Sequence, residues 1–231
     1  MRLTGSYIMY MIKIKEMRTN AQTLLKRLAV GITTLLLAST SVLAQGAAEV
    51  WLNKASEKLQ NKGTEISFRI NEDEFRISGK LLMQEERFVY DTDVMKIWYD
   101  GITQWTLQLG GEYNELYINN PTTEEQQSIN PYLLLNNYKK YFTATDGGEK
   151  SVNGKLTHMV TLKPKDSEQA ATSFNVYITS DGSLSAMEMV TPDGDTFRIE
   201  VRAMRNGLTF PKETFTYQPK DFPADEIIDM R

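Results

Sequence analysis

Residues 95–107 read Met-Lys-Ile-Trp-Tyr-Asp-Gly-Ile-Thr-Gln-Trp-Thr-Leu, and the fold turns on how they are read. Two runs of bulky and β-branched residues flank Asp100-Gly101. An Asp-Gly pair in that setting is a hairpin signal, because a two-residue type I′ turn needs positive φ at both central positions. Such a turn pairs Tyr99 with Ile102, Trp98 with Thr103 and Lys96 with Trp105. Side chains alternate between faces. Trp98, Trp105, Val94 and Leu107 then share one face, and Ile97, Tyr99 and Ile102 the other. Both faces are apolar, so one packs on a core and the other lines something other than solvent.

The neighbouring chain extends this pattern. Strands are expected over Glu65–Ile70, Phe75–Gln84, Arg87–Asp91 and Glu112–Ile118, with turn residues between them. After an interruption they resume over Thr157–Lys163, Phe174–Thr179, Leu184–Val190, Thr196–Met204 and Leu208–Gln218, with Ile227–Arg231 as a last short strand. Asn153-Gly154, Asp181-Gly182, Asp193-Gly194 and Asn206-Gly207 read as hairpin turns. Strands at this spacing without intervening helices form an antiparallel meander. About ten such strands curl or close rather than stay flat.

Two helices break the meander. In Ala48–Gln60, Ala48, Leu52, Ala55 and Leu59 recur at helical spacing, and Gly63 reads as a left-handed cap. Within Asn119–Phe142, Thr122 and Glu125 stand at capping-box spacing, and Asn130-Pro131 reads as an N-cap followed by proline at the first helical position. Tyr132, Leu133, Leu134, Leu135, Tyr138, Tyr141 and Phe142 follow. Three consecutive leucines cannot share one face, so two sides of this helix meet apolar surroundings, or one is bare without a ligand. The fold class expected is mainly β (α+β), a strongly curved or incomplete barrel with a helical lid and an N-terminal helix.

Residues 1–44 read as an N-terminal extension and a cleavable signal peptide. Arg18, Lys26 and Arg27 precede the short apolar run Leu28–Leu37, and Val42 and Ala44 have signal-peptidase spacing. Met17 starts a signal peptide of ordinary length, which makes Met1–Glu16 an upstream extension. An uncleaved anchor is the other reading, although the run is short for a span of about 20 residues. Residues 45–231 form one domain. They carry 20 basic and 29 acidic side chains and no cysteine. That balance argues against nucleic acid and against adsorption to anionic membranes, and an exported chain without disulfides relies on its core.

The order of motifs resembles the LolA family of periplasmic outer-membrane lipoprotein carriers. The family's strand entered through a Gly is similar to Ser78-Gly79-Lys80-Leu81-Leu82-Met83. Its Arg-Pro-Gly-Arg-Phe is similar to Gln84-Glu85-Glu86-Arg87-Phe88, its Asp-Gly turn and following Trp to Tyr99-Asp100-Gly101 and Trp105, and its Phe-x-Phe-x-Pro ending to Phe215-Thr216-Tyr217-Gln218-Pro219. The resemblance implies an unclosed barrel whose apolar cavity takes acyl chains of lipoproteins or related lipids. It also implies an inner-membrane release complex as partner and a monomer in the periplasm, with no cofactor. The cavity candidates are Leu82, Phe88, Tyr90, Trp98 and Trp105, each of which reads equally as core. The lid candidates are Tyr132, Leu133, Leu134 and Tyr138. Gln84 occupies the position of a family Arg that contacts the lid, and it brings an amide in place of a charge.

Catalysis finds little support. His158, the single histidine, stands in an expected strand without a triad or metal-ligand pattern, and the acidic turns lack calcium-loop spacing. An envelope sensory or binding module on the same fold is the alternative to a carrier. A hydrolase using cleft carboxylates is a distant third.

Overall fold

A computed structural model describes residues 40–231 apart from 60–61, 73–74, 110, 112, 123–124, 127–129 and 166–170. The expected leader up to residue 39 lies outside the described residues. Helix α1 (Thr40–Leu59) is followed by β1 (Gly63–Glu72), β2 (Phe75–Gln84), β3 (Arg87–Thr92), β4 (Met95–Tyr99), β5 (Gln104–Gln108) and β6 (Glu115–Asn119). Helix α2 (Pro131–Tyr141) runs directly into β7 (Phe142–Val152), then β8 (Lys155–Pro164), β9 (Ser173–Thr179), β10 (Leu184–Val190) and β11 (Thr196–Leu208). A 3-10 turn (Lys212–Phe215) and β12 (Glu226–Asp229) complete the chain.

The strands form one twelve-stranded sheet in the order β12-β6-β5-β4-β3-β2-β1-β11-β10-β9-β8-β7. Its ends, β12 and β7, do not pair with each other, so the barrel is unclosed. Every neighbouring pair is antiparallel except β12 on β6. The mainly β, unclosed and helix-covered architecture agrees with the expectation.

The pleat sorts the side chains into two cores. Ile66, Phe68, Ile70, Leu81, Met83, Phe88, Ile97 and Tyr99 lie on the face that α1 and α2 cover. The buried apolar residues of α1 are Ala48, Leu52, Ala55 and Leu59, the four its periodicity marked, and Ser56 is buried beside them. Val89, Trp98, Leu107 and Leu116 lie on the outer face, where Phe215 and Tyr217 of the C-terminal segment cover them.

The structure corrects several local expectations. The β4–β5 register sets Trp98 opposite Trp105 and Tyr99 opposite Gln104, so the connection has four residues rather than two. The Asp100 carboxylate is the reason. Its Oδ1 accepts from the backbone N–H of Ile102 at 2.9 Å and of Thr103 at 2.8 Å, which widens the turn. The shift preserves parity, so the tryptophans share a face as expected. Val94 leaves that face for the helix-side core. Ile102 is exposed at the tip.

Gly63 is the first residue of β1 and not a left-handed cap. A Cβ there would meet the Phe210 ring at 2.7 Å. Asn206-Gly207 is not a hairpin turn but an extra-residue bulge within β11, with φ of 81° at Gly207. The expected strand Leu208–Gln218 is therefore the end of β11 plus the 3-10 turn. Strand β7 escaped the sequence reading because Asp146-Gly147-Gly148 breaks its alternation, and its register shifts there. Asn153 and Gly154, at φ of 51° and 75°, form the expected two-residue turn between β7 and β8.

Candidate functional site

The site is built on the lid helix α2. Thr122 and Glu125 form the expected capping box, with the Thr122 N–H donating to Glu125 Oε2 at 2.7 Å. At the start of α2 the Asn130 Oδ1 accepts from the Tyr132 N–H at 2.9 Å, and Pro131 follows at the first turn. The other half of the same amide ties the lid to the sheet. Asn130 Nδ2 donates to the Glu86 carbonyl, on the β2–β3 turn, at 3.0 Å. Glu85 in that turn holds a φ of 57°, an uncommon conformation for a residue with a side chain.

All three leucines of α2 are buried: Leu133, Leu134 and Leu135 keep 5%, 1% and 2% of their surface. Leu134, Leu135 and Tyr138 join the helix-side core, while Leu133 is buried outside it, so two sides of the helix are in use. Tyr132 is half-buried. Burial, then the carboxylates of Glu85 and Glu86, raise its hydroxyl pKa above the usual value. Between the helices, Ser56 Oγ donates to Asn136 Oδ1 at 2.7 Å, and Lys139 pairs with Glu49. Helix α1 is fixed to the far side of the sheet. Lys58 pairs with Asp181 at 3.3 Å, and the Trp51 ring stacks on His158, which itself pairs with Asp146, at 4.6 Å between ring centres.

The five cavity candidates separate by strand parity. Phe88 and Tyr90 lie on the helix-covered face, opposite Tyr99 and Ile97. Leu82, Trp98 and Trp105 lie on the outer face in the second core, and Trp98 packs on Tyr217 and Phe222 at 5.5 and 5.2 Å. Those three are corrected: they are one residue out of phase with Phe88 and Tyr90 and bind the C-terminal segment. Gln84 is corrected too. It shares their face, and its Oε1 accepts from the Phe210 N–H at 2.9 Å rather than reaching the lid. Glu86 makes the lid contact instead.

The residues that sequence reasoning missed lie on β2, β10 and β11. Ile77, Met187, Met189, Ile199, Val201 and Met204 are half-buried on the helix-covered face. The β1 partners unite them: Ile70 faces Ile77 on one side and Ile199 on the other, and Met187 lies beyond Ile199. Alternation assigns each strand's face, but only the β1–β11 pairing places these residues together. Met187, Ile199 and Val201 border a crevice of about 30 Å³ with Phe68, Leu81, Tyr90 and Pro131, among others. That is about one water's share of liquid volume, far too little for an acyl chain. Leu52 and Leu59 of α1 and Leu134, Leu135 and Tyr138 of α2 pack into the core of the helix-covered face.

A sequence-family comparison decides what this arrangement belongs to. The family model described as outer membrane lipoprotein carrier protein LolA matches residues 38–188. The chain is a member of the LolA family. No curated protein sequence matches it. Among solved structures, an uncharacterized conserved protein from Thermus thermophilus is similar with a TM-score of 0.55 at 9% identity, over 79% of this chain and 99% of that one. At that identity the likeness shows the fold alone. A LolA superfamily protein from Nitrosomonas europaea follows at 0.41 and 11%, over 74% and 97%. The MucA/MucB complex of Pseudomonas aeruginosa gives 0.40 and 13%, over 75% of this chain and 62% of that one. Among the described residues of this LolA-family chain, no helix is long and apolar enough to cross a membrane.

Proposed function

We propose that this LolA-family chain is a periplasmic carrier, exported with a leader that ends at Ala44 and acting as a monomer from Gln45 onward. It binds acyl chains of lipoproteins, or of related lipids, between the lid and the sheet, receives them from an inner-membrane release complex and delivers them towards the outer membrane. The observation that carries this reading is the half-buried apolar row Ile77, Ile199 and Met187, which flanks the buried Ile70 on the helix-covered face. Methionines adapt to irregular apolar shapes, which suits cargo of varied chain length.

The energetics are compatible with exchange. Lifting Leu133, Leu134 and Leu135 out of their sites costs about 5–9 kcal/mol at the usual value per buried side chain. About six to eleven acyl methylenes, at about 0.8 kcal/mol each, offset that cost. One ordinary acyl chain can therefore replace the lid helix, and the lid can expel the chain again. Neither state dominates by a margin that would prevent release.

The test is a titration of delipidated protein with a fluorescent fatty acid. Saturable binding is expected, with Val201→Asp abolishing it while the fold persists by circular dichroism. Well-folded protein without saturable binding would refute the reading. Purification from the periplasm with a stable protein partner and no acyl cargo would favour the sensory alternative.

A further inference from the structure

The outer face carries a second groove, away from the lid. It is an open trough of about 680 Å³ crossing β11, β1, β2, β3 and β4. Four cations line it: Arg202 on β11, Arg69 on β1, Lys80 on β2 and Lys96 on β4. Between them lie Ser67, Ser78, Gly79 and Thr92, with Phe68 and Leu109 as the apolar part of the lining. Arg202 is paired with Glu200, and Lys96 with Asp91. Arg69 lies opposite Glu200 and Lys80 opposite Asp91 in the strand register, yet neither cation comes within salt-bridge distance of a carboxylate among the described residues. Asp93 is the remaining acid in the lining.

This is unusual in a chain whose formal charge is −4 overall. Residues 45–231 are more acidic still, whereas in this lining four cations stand against two carboxylates, Asp91 and Asp93. The spacing of the cations indicates what they meet. From β11 to β4 is four strand intervals, about 19 Å at roughly 4.8 Å each. A single phosphate or headgroup reaches one or two of these cations. An extended polypeptide of about six residues, at roughly 3.3 Å per residue, spans the whole row. The acidic remainder of the chain also repels an anionic membrane surface.

We infer that this outer groove is a docking site for an extended acidic segment of a protein partner. Carboxylates pair with Arg69 and Lys80 while the serine hydroxyls donate to the segment's backbone carbonyls. The polar and charged side chains of the groove point away from the acyl-binding face, because Ser67, Arg69, Ser78 and Lys80 alternate with Ile66, Phe68, Ile70 and Leu81, of which Phe68 alone borders both.

The test measures the anisotropy of a short fluorescein-labelled polyglutamate peptide against purified protein. Saturable binding is expected, weakened in high salt, and about tenfold weaker for the double variant Arg69→Gln/Lys80→Gln, as two exposed charge pairs are worth. Lys155→Gln, on the distant β7–β8 turn, should bind like the parent. Fatty-acid binding should be equal in all three proteins, which separates this site from the carrier reading. Equal peptide affinity in the double variant overturns the proposal. So does binding of inorganic phosphate or phosphatidylglycerol vesicles at Arg69 and Lys80 without binding of the peptide.

Discussion

Asn130 is the residue whose removal tests the lid most directly. It is fully buried and uses both halves of its amide, one to cap α2 and one to hold the β2–β3 turn. Asn130→Ala removes both. Loss of an N-cap costs about 1 kcal/mol, and loss of the hydrogen bond to Glu86 about 1 kcal/mol more. The sum of about 2 kcal/mol shifts the lid's opening equilibrium about thirtyfold. Asn130→Ser keeps a capping oxygen but is too short to reach Glu86, so it should shift opening only about fivefold. Hydrogen exchange of the Pro131–Tyr141 amides, followed by mass spectrometry, reads the opening. Fatty-acid affinity should rise in the same order, because less of the binding energy is spent on opening. The reasoning fails if exchange in α2 is unchanged in Asn130→Ala. It fails equally if exchange in β1 and β2 accelerates as much, since the residue would then be a global and not a lid contact.

Three further outcomes follow from the same geometry. Leu134→Ala should cost the ligand-free protein about 2–5 kcal/mol in urea unfolding while tightening fatty-acid binding, because the side chain that competes with the ligand is gone. Gly182→Ala should loosen α1 on the sheet by about 1–3 kcal/mol, read by chemical denaturation; φ is 86° there, and a Cβ would meet the Lys54 carbonyl at 2.7 Å. Burial and its hydrogen bond to Glu188 push the Tyr177 hydroxyl up to about 12. Its folded pKa exceeds the unfolded value near 10, so its contribution is complete below pH 10 and is lost as the pH rises from 10 towards 12. Tyr177→Phe should flatten the alkaline fall in stability over that window.

The sequence alone carried most of the strands, both helices and the family, but not β7, the bulge at Asn206-Gly207 or the four-residue connection at Asp100-Gly101. Strands and helices are local properties. Alternation marks a strand, Asn130-Pro131 marks a helix start, and Ala48, Leu52, Ala55 and Leu59 mark the buried stripe of α1 without reference to distant residues. The site was less legible. The helix that holds Tyr132, Leu133, Leu134 and Tyr138 was legible because an apolar helix in a β chain stands out by composition. Leu82, Trp98 and Trp105 were misplaced because the sequence cannot say which face of a two-sided apolar strand the helices cover.

Only the tertiary structure decided that. The C-terminal segment brings Phe215, Tyr217 and Phe222 onto the tryptophans, which leaves Phe88 and Tyr90 to face the helices. The hairpin at Asp100-Gly101 kept the parity its sequence dictated, because pleating is local. Its register slipped by two residues because a side chain captured the turn. The apolar strip along β10 and β11 became visible only when β1 paired with a strand more than a hundred residues away. Pleat and helix period are written residue by residue. Which faces meet depends on contacts between distant segments, and there the packing of the whole chain is the deciding term.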